Sequence, residues 1–95
     1  MDNGQAVTCL SALGHPSRLA ALLMLIRRPD GLRATAVAEG VGAEPNAMTP
    51  HLRLLSAAGL LSSRRVGREI IYSAEPDRLR ELLAFLEAEL RAGPG

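Results

Sequence analysis

Residues 41–60 read VGAEPNAMTPHLRLLSAAGL, and residues 61–73 continue as LSSRRVGREIIYS. In the first segment Met48, Leu52 and Leu55 recur at the spacing that places side chains on one stripe of an α-helix. A second set at similar spacings falls on a different face of that helix: Asn46, Thr49, Pro50 and Arg53. The segment therefore predicts a helix with an apolar back and a small, mostly polar outer face.

The end of this helix and the segment after it contain turn signals. Gly59 is expected to stop the helix, because glycine adopts the left-handed conformation of a C-terminal cap at little cost. Two short strand-like runs then flank Val66-Gly67, as in a β-hairpin. Three arginines lie around the turn: Arg64, Arg65 and Arg68. A helix with a polar outer face, followed by a basic hairpin, suits entry into one groove of DNA and contact with the next.

The chain has 95 residues, which we interpret as one domain, residues 1–95, with disordered ends at about 1–4 and 92–95. Hydrophobic residues make up 47% of it, which is typical of a globular protein and too high for a disordered one. Only Tyr72 and Phe85 are aromatic, so the core must be built from aliphatic side chains, which favour helices. A domain this small commonly gains stability by forming oligomers.

The net charge of +1 is unevenly distributed along the chain. Between residues 46 and 72 there are four arginines and one acidic residue, Glu69, so this segment carries +3. Residues 1–45 balance four basic against four acidic side chains, and residues 75–91 carry −2, three against five. Positive charge is therefore concentrated in the helix and hairpin for which DNA contact is predicted.

The flanking segments predict four more helices and one short strand. We expect helices over residues 5–13, 18–28 and 34–40, and a last one from Pro76 to about residue 91. The apolar stripe expected to face the core from the second helix is Leu19, Leu22, Leu23 and Ile26. His15 precedes Pro16 in the turn that is expected to end the first helix, and we expect it to be a local capping residue. Residues 32–33 are expected to pair with the hairpin as a strand.

Two start points are compatible with the fourth helix. Glu44 as N-cap with Pro45 at the first helical position is favourable, and so is Thr49 followed by Pro50. The earlier start leaves Pro50 inside the helix, where it removes one backbone hydrogen bond. We favour the earlier start, because it keeps Met48 on the apolar stripe.

The first and last helices predict a dimer interface. The last helix has a continuous apolar stripe, formed by Leu79, Leu82, Leu83, Leu86 and Leu90. Val7 and Leu10 lie on the apolar side of the first helix. A terminal helix of this kind can bury its stripe against its own copy, alongside the first helix, so we predict a homodimer formed by both helices.

Three blocks of sequence occur in a recognisable order: ALGHPSRL at residues 12–19, NAMTPHL at 46–52 with AGLL at 58–61, and RRVGREIIY at 64–72. Together they resemble the ArsR/SmtB (arsenic-repressor) family of bacterial winged helix-turn-helix regulators, over roughly residues 5–90. The resemblance implies a mainly α fold of about five helices with a small β-hairpin wing. It also implies a homodimeric repressor that binds a near-palindromic operator in double-stranded DNA and is released by an inducer.

The resemblance assigns DNA contact to specific positions. On the recognition helix these are Asn46, Ala47, Thr49, Pro50, His51 and Arg53, and on the wing they are Arg64, Arg65 and Arg68. Pro50 differs from the polar or aromatic residue expected at its position. For His51 two interpretations stay open: packing beside the apolar stripe with one hydrogen bond, or contact with a base or phosphate.

The cysteine content argues against the sensor sites of the family. Arsenite-sensing relatives carry cysteines in the third helix or near the end of the last one, where this chain has residues 33–35 and 87–91, none of them cysteine. Trivalent arsenic needs about three thiolates and zinc about four ligands. We therefore expect no metal and no cofactor, and the inducer is unknown. Cys9 is expected to be a small apolar core residue. The alternative is a redox or electrophile switch, through a Cys9–Cys9′ bridge or through modification of the thiol, and it requires an exposed thiol.

Several classes of protein are disfavoured. A single cysteine indicates a reducing compartment, and neither a signal peptide nor an apolar run of ~20 residues is present, so we expect a cytoplasmic protein without membrane contact. No nucleophile–base set or phosphate-binding loop is recognisable, so we expect no enzyme activity. The alternative function is a winged-helix dimerisation or protein-interaction module that does not read DNA. Such a module should expose more apolar or aromatic side chains on the fourth helix.

Overall fold

Residues 1–94, the part of the chain that the computed structural model describes, form five helices and three strands in the order α1-α2-β1-α3-α4-β2-β3-α5. The helices are α1 (Asn3–Leu13), α2 (Pro16–Ile26), α3 (Ala34–Val41), α4 (Pro45–Ala57) and α5 (Pro76–Ala92). The strands are β1 (Leu32–Arg33), β2 (Leu61–Val66) and β3 (Glu69–Ala74). The predicted mainly α fold with a hairpin wing is confirmed.

The first helix begins earlier than predicted. Asp2 is the N-cap, its carboxylate accepts a hydrogen bond from the Gln5 amide at 2.7 Å, and the Gln5 side chain accepts one from the Asp2 amide at 2.9 Å. This reciprocal capping box satisfies amide groups that would otherwise lack partners at a helix start. The prediction of disorder over residues 1–4 is thereby corrected.

The last helix also reaches further than predicted. It includes Ala92, which was assigned to the disordered end 92–95, and the chain leaves the helix at Gly93. Gly95, the final residue of that predicted end, lies outside the described residues.

The buried face of α2 differs from the predicted stripe. Its fully buried residues are Ala21, Leu22 and Leu25. Leu19, Leu23 and Ile26, expected in the core, are exposed. The physical reason is that α2 is apolar on almost every side, so its pattern does not single out one face, and packing against α3 and α4 selects it instead. His15 is a capping residue, as predicted, but it caps the start of α2 instead of the end of α1: it is the N-cap, and its Nδ1 accepts a hydrogen bond from the Ser17 amide at 3.1 Å.

The fourth helix takes the earlier of its two predicted starts. It begins at Pro45, with Glu44 as N-cap and Pro50 inside the helix. Its buried side chains are the predicted apolar stripe of Met48, Leu52 and Leu55, each with no exposed surface. Helices α3 and α4 pack against each other and against α2, with a short turn at residues 42–44 between them, so they form a helix-turn-helix unit.

The three strands form one antiparallel sheet in the order β1-β3-β2. Leu32 pairs with Tyr72, which confirms that residues 32–33 join the hairpin. In the hairpin Val66 pairs with Glu69, so the turn lies at Gly67-Arg68, one residue later than predicted. The hairpin is the wing of the fold, and β1 connects it to the start of α3.

The last helix buries little of its surface. Of its predicted stripe only Leu82 is buried, at 3% exposure, and Leu79 is half-buried against the same core. Leu82 therefore belongs to the core of a single chain, which corrects its assignment to the dimer interface. Leu83, Leu86 and Leu90 are exposed.

Among residues 1–94 no single helix has both the length and the apolar character needed to cross a bilayer. Helices α1 and α2 would reach that threshold only together, and they are bent by 98°.

Candidate nucleic-acid interface

The outer face of α4 carries the side chains that the sequence predicted there. Asn46, Ala47, Pro50 and Arg53 are exposed. Thr49 is half-buried, and its hydroxyl donates a 3.4 Å hydrogen bond to the Pro45 carbonyl. Among residues 1–94 nothing binds the Arg53 guanidinium. This face combines small side chains, which let the helix approach a surface closely, with one free cation.

His51 lies at the edge of that face and is held by other parts of the fold. Its Nδ1 is 3.1 Å from Nη1 of Arg18, and its ring centroid is 4.5 Å from that of His15. Partial burial lowers the pKa of His51 below its ordinary 6.5, and the nearby His15 and Arg18 lower it further. These contacts agree with the first of the two interpretations of His51, in which the ring packs beside the apolar stripe and makes one hydrogen bond.

The wing arginines fall into two groups. Arg64 donates to the Asp30 carbonyl at 2.9 Å and to the Ser73 hydroxyl at 3.5 Å, and Arg65 donates to the Gly67 carbonyl at 3.2 Å. Arg68, in the turn, is exposed, and no group in the described part of the chain binds its guanidinium. The three arginines were predicted to act alike, but Arg68 is the one whose guanidinium is free.

A groove between α4, the start of α3 and the wing contains residues that the sequence analysis did not assign to the site. It has a volume of about 310 Å³, and Thr49 and Arg53 line it together with Arg33, Thr35, Glu69 and Ile70. Arg33 and Glu69, on the neighbouring strands β1 and β3, form a 2.8 Å salt bridge at its lining. The sequence did predict that residues 32–33 pair with the hairpin, and this pairing, which is antiparallel, was the signal that could have shown that Arg33 lies close to Glu69.

Cys9, the candidate redox residue, is fully buried. Its thiol lies on the core side of α1 and donates to the Ala58 carbonyl at 3.5 Å. A bridge between two copies requires an exposed thiol, so this arrangement contradicts the redox interpretation. In residues 1–94 no three His, Cys, Asp or Glu side chains come close enough together to hold a metal ion.

The side chains predicted for the dimer interface remain largely uncovered in a single chain. α1 buries its small residues Ala6, Cys9 and Ala12, and it exposes its larger ones, Val7 at 65% and Leu10 at 46%. On α5 Leu83 is 59% exposed and Leu90 is 77% exposed. Both helices therefore present apolar surface that their own core does not cover.

Comparisons with known proteins agree with this geometry. A family model described as a helix-turn-helix domain matches residues 13–64. Over 79 residues the chain is 39% identical to the HTH-type transcriptional regulator NmtR of Mycobacterium tuberculosis, covering 83% of this chain but 64% of NmtR. It is 32% identical over 83 residues to the HTH-type transcriptional regulator YgaV of Escherichia coli, covering 87% of this chain and 83% of YgaV.

Among solved structures, an ArsR-like transcriptional regulator from Rhodococcus sp. RHA1 superimposes with a TM-score of 0.81 at 30% sequence identity. The superposition covers 90% of this chain and 78% of the Rhodococcus chain. The fold and the sequence thus match proteins of the same kind.

Proposed function

The chain belongs to the ArsR/SmtB family of winged helix-turn-helix transcriptional regulators, and we propose that it is a cytoplasmic, DNA-binding repressor. The observation that carries the proposal is the exposed outer face of α4, together with the free guanidinium of Arg68 in the wing turn. An α-helix fits the major groove of B-DNA, where exposed side chains such as Asn46 and Arg53 can reach base edges. An exposed arginine in the wing turn can bind a phosphate, which fixes register without reading sequence.

The residues of α4 have different roles in this proposal. Arg53 and Thr49 read bases, and Ala47 and Pro50 let the helix come close to the groove. Arg33 and Thr35, at the other wall of the groove beside α4, lie where a DNA backbone passing between helix and wing would run. The salt bridge of Arg33 with Glu69 keeps part of the positive charge neutralised until DNA is bound.

We further propose that the active form is a homodimer. The exposed apolar side chains of α1 and α5 support it, because two copies can cover each other's Val7, Leu10, Leu83, Leu86 and Leu90. A two-fold axis would present two recognition helices to successive major grooves, so the operator is expected to be near-palindromic.

The signal that releases the proposed repressor does not use the cysteine site of arsenite-sensing relatives. The only cysteine is buried in the core and bound to a backbone carbonyl. The alternative of a protein-interaction module that does not read DNA is not favoured, because the matched relatives are transcriptional regulators.

Selection of duplexes from a random-sequence library tests the proposal, followed by fluorescence anisotropy with the enriched duplex. We expect a near-palindromic consensus and an affinity that falls steeply as the salt concentration rises. Arg53→Ala should change the base preference, whereas Arg27→Gln, which removes an exposed charge at the end of α2, should leave it unchanged. Failure of the wild-type chain to enrich any duplex, together with no binding at low salt, would overturn the proposal.

A further inference from the structure

Arg18 connects α1, one of the two helices proposed to form the dimer, to the recognition helix α4. From the first turn of α2, its Nε donates to the Ala12 carbonyl at 2.6 Å, and its Nη1 lies 3.1 Å from Nδ1 of His51 on α4. Ala12 is in the last turn of α1, where backbone carbonyls lack helical partners. One guanidinium therefore connects the end of α1 to the edge of the proposed DNA-binding face.

This contact defines the chemical state of His51. Arginine only donates hydrogen bonds, so Nδ1 of His51 must be the acceptor. The ring is then neutral, with its proton on Nε2, and that donor has no partner among residues 1–94. Arg18 holds the ring on one side, and the tilted ring of His15 lies against it.

We propose that Arg18 is a positioning residue for the recognition helix and acts through His51. The inference rests on the proposed DNA-binding function and goes beyond it, because Arg18 lies on α2 and is not one of the residues proposed to contact DNA. Holding His51 fixes the rotation of α4 against α1 and α2, and therefore the direction in which Asn46, Thr49 and Arg53 point.

The proposal predicts an unusual sign for the pH dependence. Below its lowered pKa, His51 becomes a cation beside Arg18 and can no longer accept its hydrogen bond. The contact is then lost, and DNA affinity falls as the solution becomes more acidic. A histidine that contacted phosphate directly would give the opposite result, since its protonation adds a favourable charge.

The charged and titratable groups around His51 are few. From the α1–α2 junction, His15 and Arg18 face it, and both lower its pKa. α1 carries no charged side chain. Glu39 on α3, and Arg64 and Arg65 on β2, are exposed side chains of the other elements packed against α4.

The lowered pKa of His51 also affects the stability of the folded chain. The folded-state pKa of His51 lies below the unfolded value of 6.5. The unfolded chain therefore binds a proton first as the pH falls. His51 contributes stability above about pH 6.5, and that contribution decreases as the pH drops through the folded-state pKa.

The experiment compares Arg18→Gln with Arg27→Gln, which removes an equal charge from the exposed end of the same helix. The probe is the duplex that the wild-type chain enriches from a random library, and affinity is measured by anisotropy between about pH 7.5 and pH 5.5, the range in which histidine titrates. We expect Arg18→Gln to weaken binding by about tenfold, as loss of one charge-assisted hydrogen bond would, and to abolish the pH dependence. Circular dichroism at both pH values tests whether each variant is folded.

Two histidine variants separate the effects of the two imidazole rings, because the chain contains only two histidines. His51→Asn keeps an acceptor near the position of Nδ1 and should bind DNA with no loss on acidification. His15→Asn keeps a good N-cap and should retain the wild-type pH dependence.

Each result has a distinct meaning. If the wild-type chain enriches a duplex but Arg18→Gln binds it as Arg27→Gln does, the positioning role is wrong and the proposed function stands. A wild-type affinity that rises on acidification also overturns the positioning role. If no duplex is enriched at all, it is the proposed function that fails.

Discussion

Gly31 has almost no room for a side chain. Its φ is 83°, and a Cβ atom there would lie 2.5 Å from both the Tyr72 carbonyl oxygen and the Ser73 hydroxyl. Gly42 has a similar φ of 79°, but a Cβ there would meet nothing within 4 Å. The two glycines differ because Gly31 lies against β3, while Gly42 is in the open turn between α3 and α4.

We expect Gly42→Ala to lower the free energy of unfolding by about 1–2 kcal/mol, the cost of a left-handed conformation for a residue with a Cβ atom. Gly31→Ala should cost clearly more, because it adds a collision with the strand that β1 must pair with. Urea unfolding followed by circular dichroism measures both. Equal losses would mean that the β1–β3 pair can move aside.

In the wing, Arg64 and Arg65 are engaged in hydrogen bonds, whereas the guanidinium of Arg68 has no partner among residues 1–94. Arg68→Ala should weaken binding to all DNA sequences alike and reduce the slope of log affinity against log salt by about one, since one phosphate contact is lost. The free energy of unfolding should not change, because Arg68 has no partner among residues 1–94. Anisotropy titrations at several salt concentrations provide the slope.

Arg64→Ala is the matched comparison within the same hairpin. It removes the hydrogen bond to the Asp30 carbonyl and should lower the free energy of unfolding by about 1 kcal/mol. Its effect on the salt slope should be smaller than that of Arg68→Ala, since the Arg64 guanidinium is already engaged. The reverse order of slopes would show that Arg64 leaves its backbone partner to bind phosphate.

The recognition helix illustrates how local signals can decide an element. Pro45 at the first helical position and the burial of Met48 both indicate that α4 begins at Pro45. The predicted start is therefore confirmed, even though Pro50 removes one backbone hydrogen bond from the helix. The pattern did not reveal that His51, beside this stripe, is bound by Arg18. That contact joins residues 33 positions apart.

The molecule as a whole is elongated, measuring 51 × 22 × 22 Å. α5 buries only Leu82 fully, so a single chain leaves a 17-residue helix with most of its apolar stripe in solvent. A second copy can cover this stripe together with Val7 and Leu10. The proposed dimer interface therefore excludes Leu82, and Leu79 contributes only its exposed part.

Leu83→Glu should convert the proposed dimer to a monomer, because it places a charge in a contact that excludes water. The fold should be retained, since Leu83 is 59% exposed in a single chain. Sedimentation equilibrium measures the change in mass. Val66→Glu, at a similarly exposed apolar residue on the wing, is the control and should stay dimeric; a dimeric Leu83→Glu variant would refute the α5 interface.

The sequence by itself determined the order of the elements, the start and buried stripe of α4, the His15 cap and the pairing of residues 32–33 with the wing. These features depend on neighbours a few residues apart, so helical periodicity, caps and turn residues encode them directly. The capping box of Asp2 and Gln5 is equally local, because its two residues are three positions apart, so the sequence also encodes it directly.

Only the tertiary structure decided which face of α2 is buried, that Leu82 belongs to the core, that Cys9 is inaccessible, and which wing arginine is free. It alone revealed the contact of Arg18 with His51. The physical reason is common to all of them. Each depends on what lies opposite a side chain in space, and a helix that is apolar all round, or an arginine with a long flexible stem, is compatible with several neighbours until the chain has folded.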